Sequence, residues 1–326
     1  MRAHIIGTGS YVPEKILTNA DLAKIVETSD EWITERTGIR SRHMAAEGEN
    51  TSDMALKASL RALEMAKTLP SELDCIIVGT ISGDVQMPAC AAYLAHKLGA
   101  KKAFAFDVSA ACAGSLFGMS VASQYISTGS VKRALVVGVE LLTRIVNWQD
   151  RNSCVLFGDA AGAMVLGPSP SEDRGILSTH LHTDGSQTDI LHIPAGGTRL
   201  PIDAEVLEKK LHKVAMNGRE VYKFAVRALV DSVNEALTHN AMKANEVTHV
   251  IAHQANLRII EAVLSRLEIP IEKAWLNIDK YGNTSSASLP MTLDEANRAG
   301  RLKEGDSIAM MAIGAGMSWG SAAVRW

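Results

Sequence analysis

The chain carries, at Lys101–Ser120, the stretch KKAFAFDVSAACAGSLFGMS, in which a strand pattern gives way directly to a helix pattern. Ala103–Val108 is an apolar run typical of a strand, and the small residues of Ser109–Ala113 permit a sharp turn before the helix. Cys112 is therefore predicted to lie where a helix begins. Free N–H groups and the helix dipole favour a thiolate there and lower the pKa of the thiol. A buried structural cysteine is the alternative that this stretch alone leaves open.

Composition describes an ordinary globular protein: 326 residues, 47% hydrophobic, 21% charged and a net charge of −3. That length suffices for one large core or two similar halves. The charge and the lack of a nucleic-acid motif argue against a nucleic-acid partner. No run of about 18 apolar residues and no signal-peptide pattern occurs, so no membrane association and a cytoplasmic location are expected. The cysteines show no CxxC spacing, so neither disulfides nor a metal site are expected: Cys75, Cys90, Cys112 and Cys154.

Strand and helix patterns alternate along the chain, which predicts an α/β fold with helices on both faces of a sheet. The predicted strands of the first half are Ile5–Gly9, Cys75–Val78, Ala103–Val108, Arg133–Val137 and a strand pair within Val155–Leu166. The predicted helices are Asn19–Val26, Asp30–Thr37, Asp53–Lys67, Cys90–Lys97 and Cys112–Ser127.

The second half repeats the order and spacing of these patterns, which predicts two similar halves, 1–172 and 173–326. The matching pairs are His249–Ala252 with Cys75–Val78, Ala274–Ile278 with Phe104–Val108, Ser307–Ala312 with Arg133–Val137, and Gly320–Val324 with Gly162–Leu166.

This alignment places three reactive residues at strand ends. Asn283 falls opposite Cys112, and His253 follows the strand that matches Cys75–Val78. Because ligands bind beyond the carboxyl ends of strands in such sheets, the three side chains are predicted to face one cleft. The segment Gly185–Asn217 lies outside the repeat and is predicted to run over the surface as a lid or wall of that cleft.

Six motifs, in this order, resemble the β-ketoacyl-acyl carrier protein synthase III family of the thiolase superfamily. They are DEWITERTGIRSRH (Asp30–His43), DVSAACAGS (Asp107–Ser115), VLFGDAAGA (Val155–Ala163), AHQANLRI (Ala252–Ile259), YGNTSSASLP (Tyr281–Pro290) and GAGMSWGSA (Gly314–Ala322). The resemblance implies a thiolase-like fold, with two similar halves in an α-β-α-β-α arrangement. It also implies the activity: an acyl-CoA starter, acetyl-CoA or another short acyl-CoA, condenses with malonyl-acyl carrier protein and initiates type II fatty acid synthesis.

The resemblance assigns the reacting residues. Cys112 is implied to carry the acyl group, His253 and Asn283 to hold the malonyl thioester oxygen, and the N–H groups of Cys112 and Ala315 to form the oxyanion hole. The chain departs from many relatives at Ala315, where they have glycine, and at Ile313, where they have an aromatic residue. No cofactor is implied, because acyl-CoA is a substrate.

Further residues take substrate-binding roles by the same resemblance. Trp32 and Arg151 are implied to flank the adenine of CoA, with Thr28 and Arg36 near its phosphates. The implied pantetheine tunnel is lined by Met216, Gly218, Asn256 and Arg258. Lys223 and Arg258 are implied to dock the acidic carrier protein. A homodimer is implied, with Met87 reaching into the acyl pocket of the partner.

Three alternatives stay open at the level of sequence. A degradative thiolase needs a second catalytic cysteine near the C-terminal glycine turn, and GAGMSWG has none. A related condensing enzyme or acyltransferase of secondary metabolism uses the same three residues with a different acceptor. A non-catalytic acyl-CoA-binding protein has no need of all three.

Overall fold

The computed structural model describes residues 1–326. Its strands are β1 (Ala3–Tyr11), β2 (Lys15–Thr18), β3 (Ser41–Met44), β4 (Cys75–Gly79), β5 (Phe104–Val108), β6 (Ala134–Glu140), β7 (Ala160–Pro168), β8 (Gly175–Thr183), β9 (Leu191–His192), β10 (Ala215–Met216), β11 (His249–Ala252), β12 (Ser307–Gly314) and β13 (Ser318–Arg325). Its α-helices are α1 (Asn19–Leu22), α2 (Asp30–Thr37), α3 (Thr51–Ala66), α4 (Cys90–Leu98), α5 (Gly114–Ser127), α6 (Arg151–Cys154), α7 (Ala204–Glu208), α8 (Gly218–His239), α9 (Leu257–Arg266), α10 (Ile278–Tyr281) and α11 (Ser288–Arg298).

The two main sheets share the order of four strands. The first runs β1-β7-β6-β4-β5, and the second runs β8-β13-β12-β11, without a counterpart of β5. In both, a parallel pair (β4 with β6, β11 with β12) is followed by two antiparallel pairings. The thiolase-like fold of two similar halves is thereby confirmed. The boundary between 172 and 173 stays a prediction.

Five layers follow from the packing of the helices. α5 and α11 lie between the sheets, α3 and α4 cover the outer face of the first sheet, and α8 and α9 lie outside the second. Successive side chains of β4 point to opposite faces of the sheet. Cys75 and Ile77 therefore pack against the central helices, and Ile76 and Val78 pack against the helices on the outer face. Apolar residues on both faces explain the continuous hydrophobic runs of these strands. No helix is long and apolar enough to cross a membrane.

Two expected strands are wrong in detail. Val155–Leu166 is not a strand pair: β7 begins at Ala160, because the buried Asp159 carboxylate accepts backbone N–H groups of Ala45 and Thr143 and holds the preceding segment out of the sheet. Ala274–Ile278 is not a strand either. Only Ala274 bridges Val250, and the chain then enters α10.

Backbone segments approach each other closely at two glycines, once within the first half and once between the halves. A Cβ on Gly79, at the end of β4, would lie 2.5 Å from the carbonyl carbon of Gly114, where α5 begins. A Cβ on Gly138, in β6, would overlap the carbonyl oxygen of Ser286 in the second half. Glycine is thus required here by close approach of backbone.

We expect Gly138→Ala to lower the free energy of unfolding by about 1–3 kcal/mol or more, since the added methyl group overpacks a rigid contact with backbone. Gly197→Ala is the control: a Cβ there meets nothing within 4 Å, and the change should stay within about 0.5 kcal/mol. Urea unfolding followed by circular dichroism measures both. Equal stability of the two variants would contradict the close-approach argument.

Candidate active site

One cavity of about 630 Å³ has Cys112, His253 and Asn283 in its wall. The three residues are only 7%, 5% and 6% exposed, respectively. They come from the turn before α5, the end of β11 and the turn after α10. The structure thus brings together side chains that are far apart in sequence, in a site largely shielded from water.

Cys112 lies in a 3₁₀ turn, Ala111–Ala113, that leads into α5. Ala111 has a φ of 45°, in the left-handed region that residues with a side chain adopt at a cost. The end of β12 passes so close that a Cβ on Gly314 would lie 2.5 Å from the Cys112 nitrogen. A side chain at this position would therefore collide with the backbone of Cys112.

The expected low pKa of the Cys112 thiol is not found. Burial raises it to about 12, and the negative charge of Glu140 acts in the same direction. Hydrogen bonding with the Ser285 side chain and with the cysteine's own N–H opposes this effect without cancelling it. Loss of water around the sulfur therefore outweighs the helix end, whose field is equivalent to only about half a charge.

His253 is neutral in this environment, because burial lowers its pKa from 6.5 to about 3. Its Nδ1 lies 2.6 Å from the hydroxyl of Ser288, and that hydroxyl also accepts the N–H of Gln254 at 3.1 Å. The Ser288 hydroxyl can therefore accept this N–H and donate its own hydrogen to Nδ1 at the same time. In that tautomer, Nε2 carries the hydrogen and acts as a neutral donor.

Asn283 has its amide orientation fixed by one contact. Its Oδ1 accepts the N–H of Ser285 at 2.9 Å, which leaves the Nδ2 hydrogens to donate into the cavity. The backbone is held too, since its N–H donates to Leu156 at 2.8 Å and its carbonyl accepts from Gly158 at 3.1 Å. The site accordingly presents two neutral donors beside a buried thiol.

Sequence reasoning missed Glu140, a fully buried carboxyl group behind Cys112. Its oxygens accept hydrogen bonds from the hydroxyls of Thr80, Ser82, Ser285 and Ser286 and from the N–H of Ile81. Burial outweighs these donors and raises its pKa from 4.5 to about 7. The available signal was a single acidic residue at the end of the apolar strand ALVVGVE. Ser285 and Ser288 were also missed.

The cavity wall contains seven other residues singled out in the sequence: Arg36, Met216, Gly218, Lys223, Asn256, Arg258 and Ile313. Asn256 caps α9 by accepting the N–H of Arg258 and donates from Nδ2 to the carbonyl of Arg36 at 3.1 Å. Lys223 pairs with Glu220 one turn earlier on α8. β9 and β10 of the excursion add Leu191 and Met216, so this segment does form a wall.

Trp32 lies outside the cavity wall, and two arginine side chains pack against its ring. The guanidinium carbons of Arg36 and Arg151 lie 4.9 and 4.7 Å from its ring centroid. Thr28 is nearby in sequence, and its buried hydroxyl has no hydrogen-bond partner. Ala315 lies in the turn after β12 but not in the cavity wall, and Met87 is 86% exposed elsewhere on the surface.

The fold and the cysteine, histidine and asparagine of this cavity define a condensing acyltransferase of the thiolase type. Models of 3-oxoacyl-[acyl-carrier-protein] synthase III match residues 106–185 and, for its C-terminal part, 237–326. The beta-ketoacyl-[acyl-carrier-protein] synthase III of Caldanaerobacter subterraneus subsp. tengcongensis is 49% identical over 99% of this chain and 98% of that protein. That of Xylella fastidiosa (strain Temecula1) is 50% identical over 99% and 98%.

Comparison with solved structures leads to the same family. The 3-oxoacyl-[acyl-carrier-protein] synthase III of Aquifex aeolicus is 44% identical, with a TM-score of 0.92 over 99% of this chain and all of that one. A priming β-ketosynthase of the R1128 polyketide pathway is similar at a lower identity of 34%. The chain belongs to the beta-ketoacyl-[acyl-carrier-protein] synthase III family, the condensing acyltransferases that initiate fatty acid synthesis. The secondary-metabolism alternative is not favoured.

A neutral His253 has a consequence for stability below neutral pH. Because its pKa is lower in the folded than in the unfolded chain, stability is fully present above 6.5 and falls as acid protonates the unfolded state. We expect His253→Gln to reduce the loss of unfolding free energy between pH 7 and pH 4 by up to about 3 kcal/mol. Urea unfolding at several pH values measures it, with the exposed His96→Gln as control. Parallel pH curves for wild type and His253→Gln would rule out a buried neutral imidazole.

Proposed function

We propose that Cys112 carries the acyl group and that His253 and Asn283 hold the oxygen of the malonyl thioester. The supporting observation is the meeting of a buried thiol and two oriented neutral donors in one cavity. Acyl-CoA is the proposed donor and malonyl-acyl carrier protein the proposed acceptor.

In the first half-reaction, the Cys112 sulfur attacks the acyl-CoA thioester and CoA leaves. The negative charge on the carbonyl oxygen is stabilised by the N–H groups of Cys112 and Ala315. Gly314 supports this arrangement, since any side chain there would fill the space beside the Cys112 nitrogen.

In the second half-reaction, the malonyl group loses carbon dioxide and leaves an enolate. A neutral Nε2–H of His253 and the Nδ2–H of Asn283 donate to its oxygen. Donors that are already oriented in a site of low dielectric constant stabilise developing charge more strongly than water does. The enolate carbon then attacks the acyl-cysteine and releases the β-ketoacyl product.

We expect Asn283→Ala to accept the acyl group from acyl-CoA while releasing carbon dioxide from malonyl-acyl carrier protein about 100- to 1,000-fold more slowly. Intact mass measures loading, and radiolabelled carbon dioxide measures decarboxylation. Cys112→Ala is the matched control and should form no acyl-enzyme. Normal decarboxylation by Asn283→Ala combined with failed loading would reverse the two roles.

Binding of CoA is proposed at Trp32, with Arg151 beside the adenine and with Arg36 and Thr28 at the phosphates. Trp32 with its two arginines presents a ring face and guanidinium groups, which suit a base and phosphates. The pantetheine arm is proposed to pass along Met216, Gly218, Asn256 and Arg258.

Replacing both Arg36 and Arg151 by alanine should raise KM for acyl-CoA at least about tenfold and leave KM for malonyl-acyl carrier protein within about twofold. The pantetheine arm of the carrier protein lacks the adenosine that these side chains hold. Steady-state kinetics with each substrate varied in turn measures the two KM values. Equal changes in both KM values would assign the arginines to a shared surface.

A homodimer is proposed through the edge of the first sheet. β5 is an edge strand, and apolar side chains near it are exposed: Ile81, Val85, Met87 and Phe104. Met87 is proposed to enter the acyl pocket of the partner. Lys223 and Arg258 are proposed to dock the carrier protein. We further propose a cytoplasmic enzyme without a cofactor, consistent with four free cysteines and with acyl transfer by protein side chains alone.

A further inference from the structure

We propose that Glu140 holds the proton of the Cys112 thiol while the cysteine is acylated, and that the hydroxyl of Ser285 passes the proton between them. This inference rests on the proposed role of Cys112 as the acyl carrier. It names a proton acceptor, Glu140, and the hydroxyl of Ser285 that connects this acceptor to the Cys112 sulfur.

Ser285 connects the two groups. Its hydroxyl donates to Oε1 of Glu140 at 3.1 Å, and the same side chain is the hydrogen-bond partner of the Cys112 sulfur. The turn Ser285–Ala287 packs directly on the turn Ala111–Ala113 that carries Cys112. Ser285 has a φ of 50°, a strained conformation that the surrounding contacts maintain. Such strain at a contact between reactive groups is typical of a functional position.

The buried thiol needs a proton acceptor, because burial keeps it protonated in the free protein. His253 is a poor acceptor, since burial lowers its pKa to about 3. Glu140 is better matched, with a pKa of about 7 that allows it to take and return a proton near neutrality. It is also the carboxyl group whose charge acts on Cys112.

No cation pairs with Glu140. The groups facing it are hydroxyls and one N–H, from Thr80, Ile81, Ser82, Ser285 and Ser286. The titratable groups coupled to it are the thiols of Cys112 and Cys90, and Asp84 and Asp107 act on Cys90 in turn. With no arginine, lysine or histidine as a salt-bridge partner, its charge is held only by neutral donors. Protonation is therefore accessible in a way that an ion pair would prevent.

The proton of the Cys112 thiol can be followed through both half-reactions. The S–H bond of Cys112 breaks, its proton goes to Ser285 Oγ, and the Ser285 proton goes to Glu140 Oε1. The thiolate forms the thioester, and the departing CoA thiolate takes a proton from water. When the enolate later displaces Cys112 as a thiolate, Glu140 returns its proton through Ser285.

A purely structural Glu140 predicts the opposite effect on reactivity. Its negative charge raises the pKa of the Cys112 thiol, so removing the charge alone would make the cysteine more reactive at neutral pH. Removing a proton acceptor makes it less reactive. The neutral isostere Glu140→Gln therefore separates the two roles by the sign of the change.

The test measures single-turnover acylation of Cys112 by acyl-CoA, and alkylation by iodoacetamide, from pH 5.5 to 9.5. In wild type, both rates should rise through pH 7 as Glu140 ionises and then level off. In Glu140→Gln, both should fall about 100-fold or more at pH 7 and rise continuously with pH, following the thiol itself. Circular dichroism and urea unfolding establish that the variant is folded.

Two serine variants form a matched pair. Both hydroxyls lie 3.1 Å from Glu140 Oε1, but only that of Ser285 also bonds to Cys112. Ser285→Ala should lose the step near pH 7, whereas Ser286→Ala should retain it. This comparison decides the question even if Glu140→Gln does not fold.

The outcomes are distinct. A wild type that forms no acyl-cysteine at residue 112 overturns the proposed function, whatever the alkylation profile. Acylation with an unchanged or faster rate in Glu140→Gln, or a step near pH 7 that survives in Ser285→Ala, overturns the proton relay and leaves Cys112 as the acyl carrier.

Discussion

The active site depends on close backbone contacts that only glycine permits. Gly79 lets the start of α5 approach the end of β4 within the first half, Gly138 lets Ser286 of the second half reach the first sheet, and Gly314 at the end of β12 lies against the Cys112 nitrogen. These contacts hold the turn that contains Cys112 from both halves at once. They also explain how unfavourable φ values persist at Ala111 and Ser285, since strain of this kind survives only where the surrounding structure enforces it.

The same close packing excludes water and gives the site its electrostatic character. Burial raises the pKa of Cys112 and Glu140 and lowers that of His253, so all three groups are driven toward their neutral forms. Little permanent charge competes with the charge that the reaction creates. Neutral donors held at a fixed orientation are suited to this chemistry, because an enolate or a tetrahedral oxyanion meets them without further solvent rearrangement.

Features that depend on local sequence patterns and on the order of the strands and helices could be predicted from the sequence. The repeated strand order and the convergence of Cys112, His253 and Asn283 follow from strand ends and a doubled unit, and both are present. The pKa of Cys112 was predicted wrongly, because burial depends on how the other half packs over the turn. Glu140 escaped notice for the same reason: its partners Ser285 and Ser286 lie about half the chain away. Their roles in catalysis, like those of the three cavity residues, stay predictions.

The CoA site proposed at Trp32 would let one cavity serve two carriers. Arg36 and Arg151 both lie against Trp32, at a distance that leaves no room for a base between either guanidinium and the ring. An adenine that stacks on a ring face covered by an arginine would displace that guanidinium, and an exposed cation–π contact is worth only about 0.5–1 kcal/mol. In the proposed CoA complex, the displaced guanidinium would form bidentate hydrogen bonds with the phosphates, which compensate for the lost contact. A pantetheine arm without adenosine would leave both arginines in contact with Trp32, so the two proposed substrates would share the cavity and differ in their contacts with Trp32.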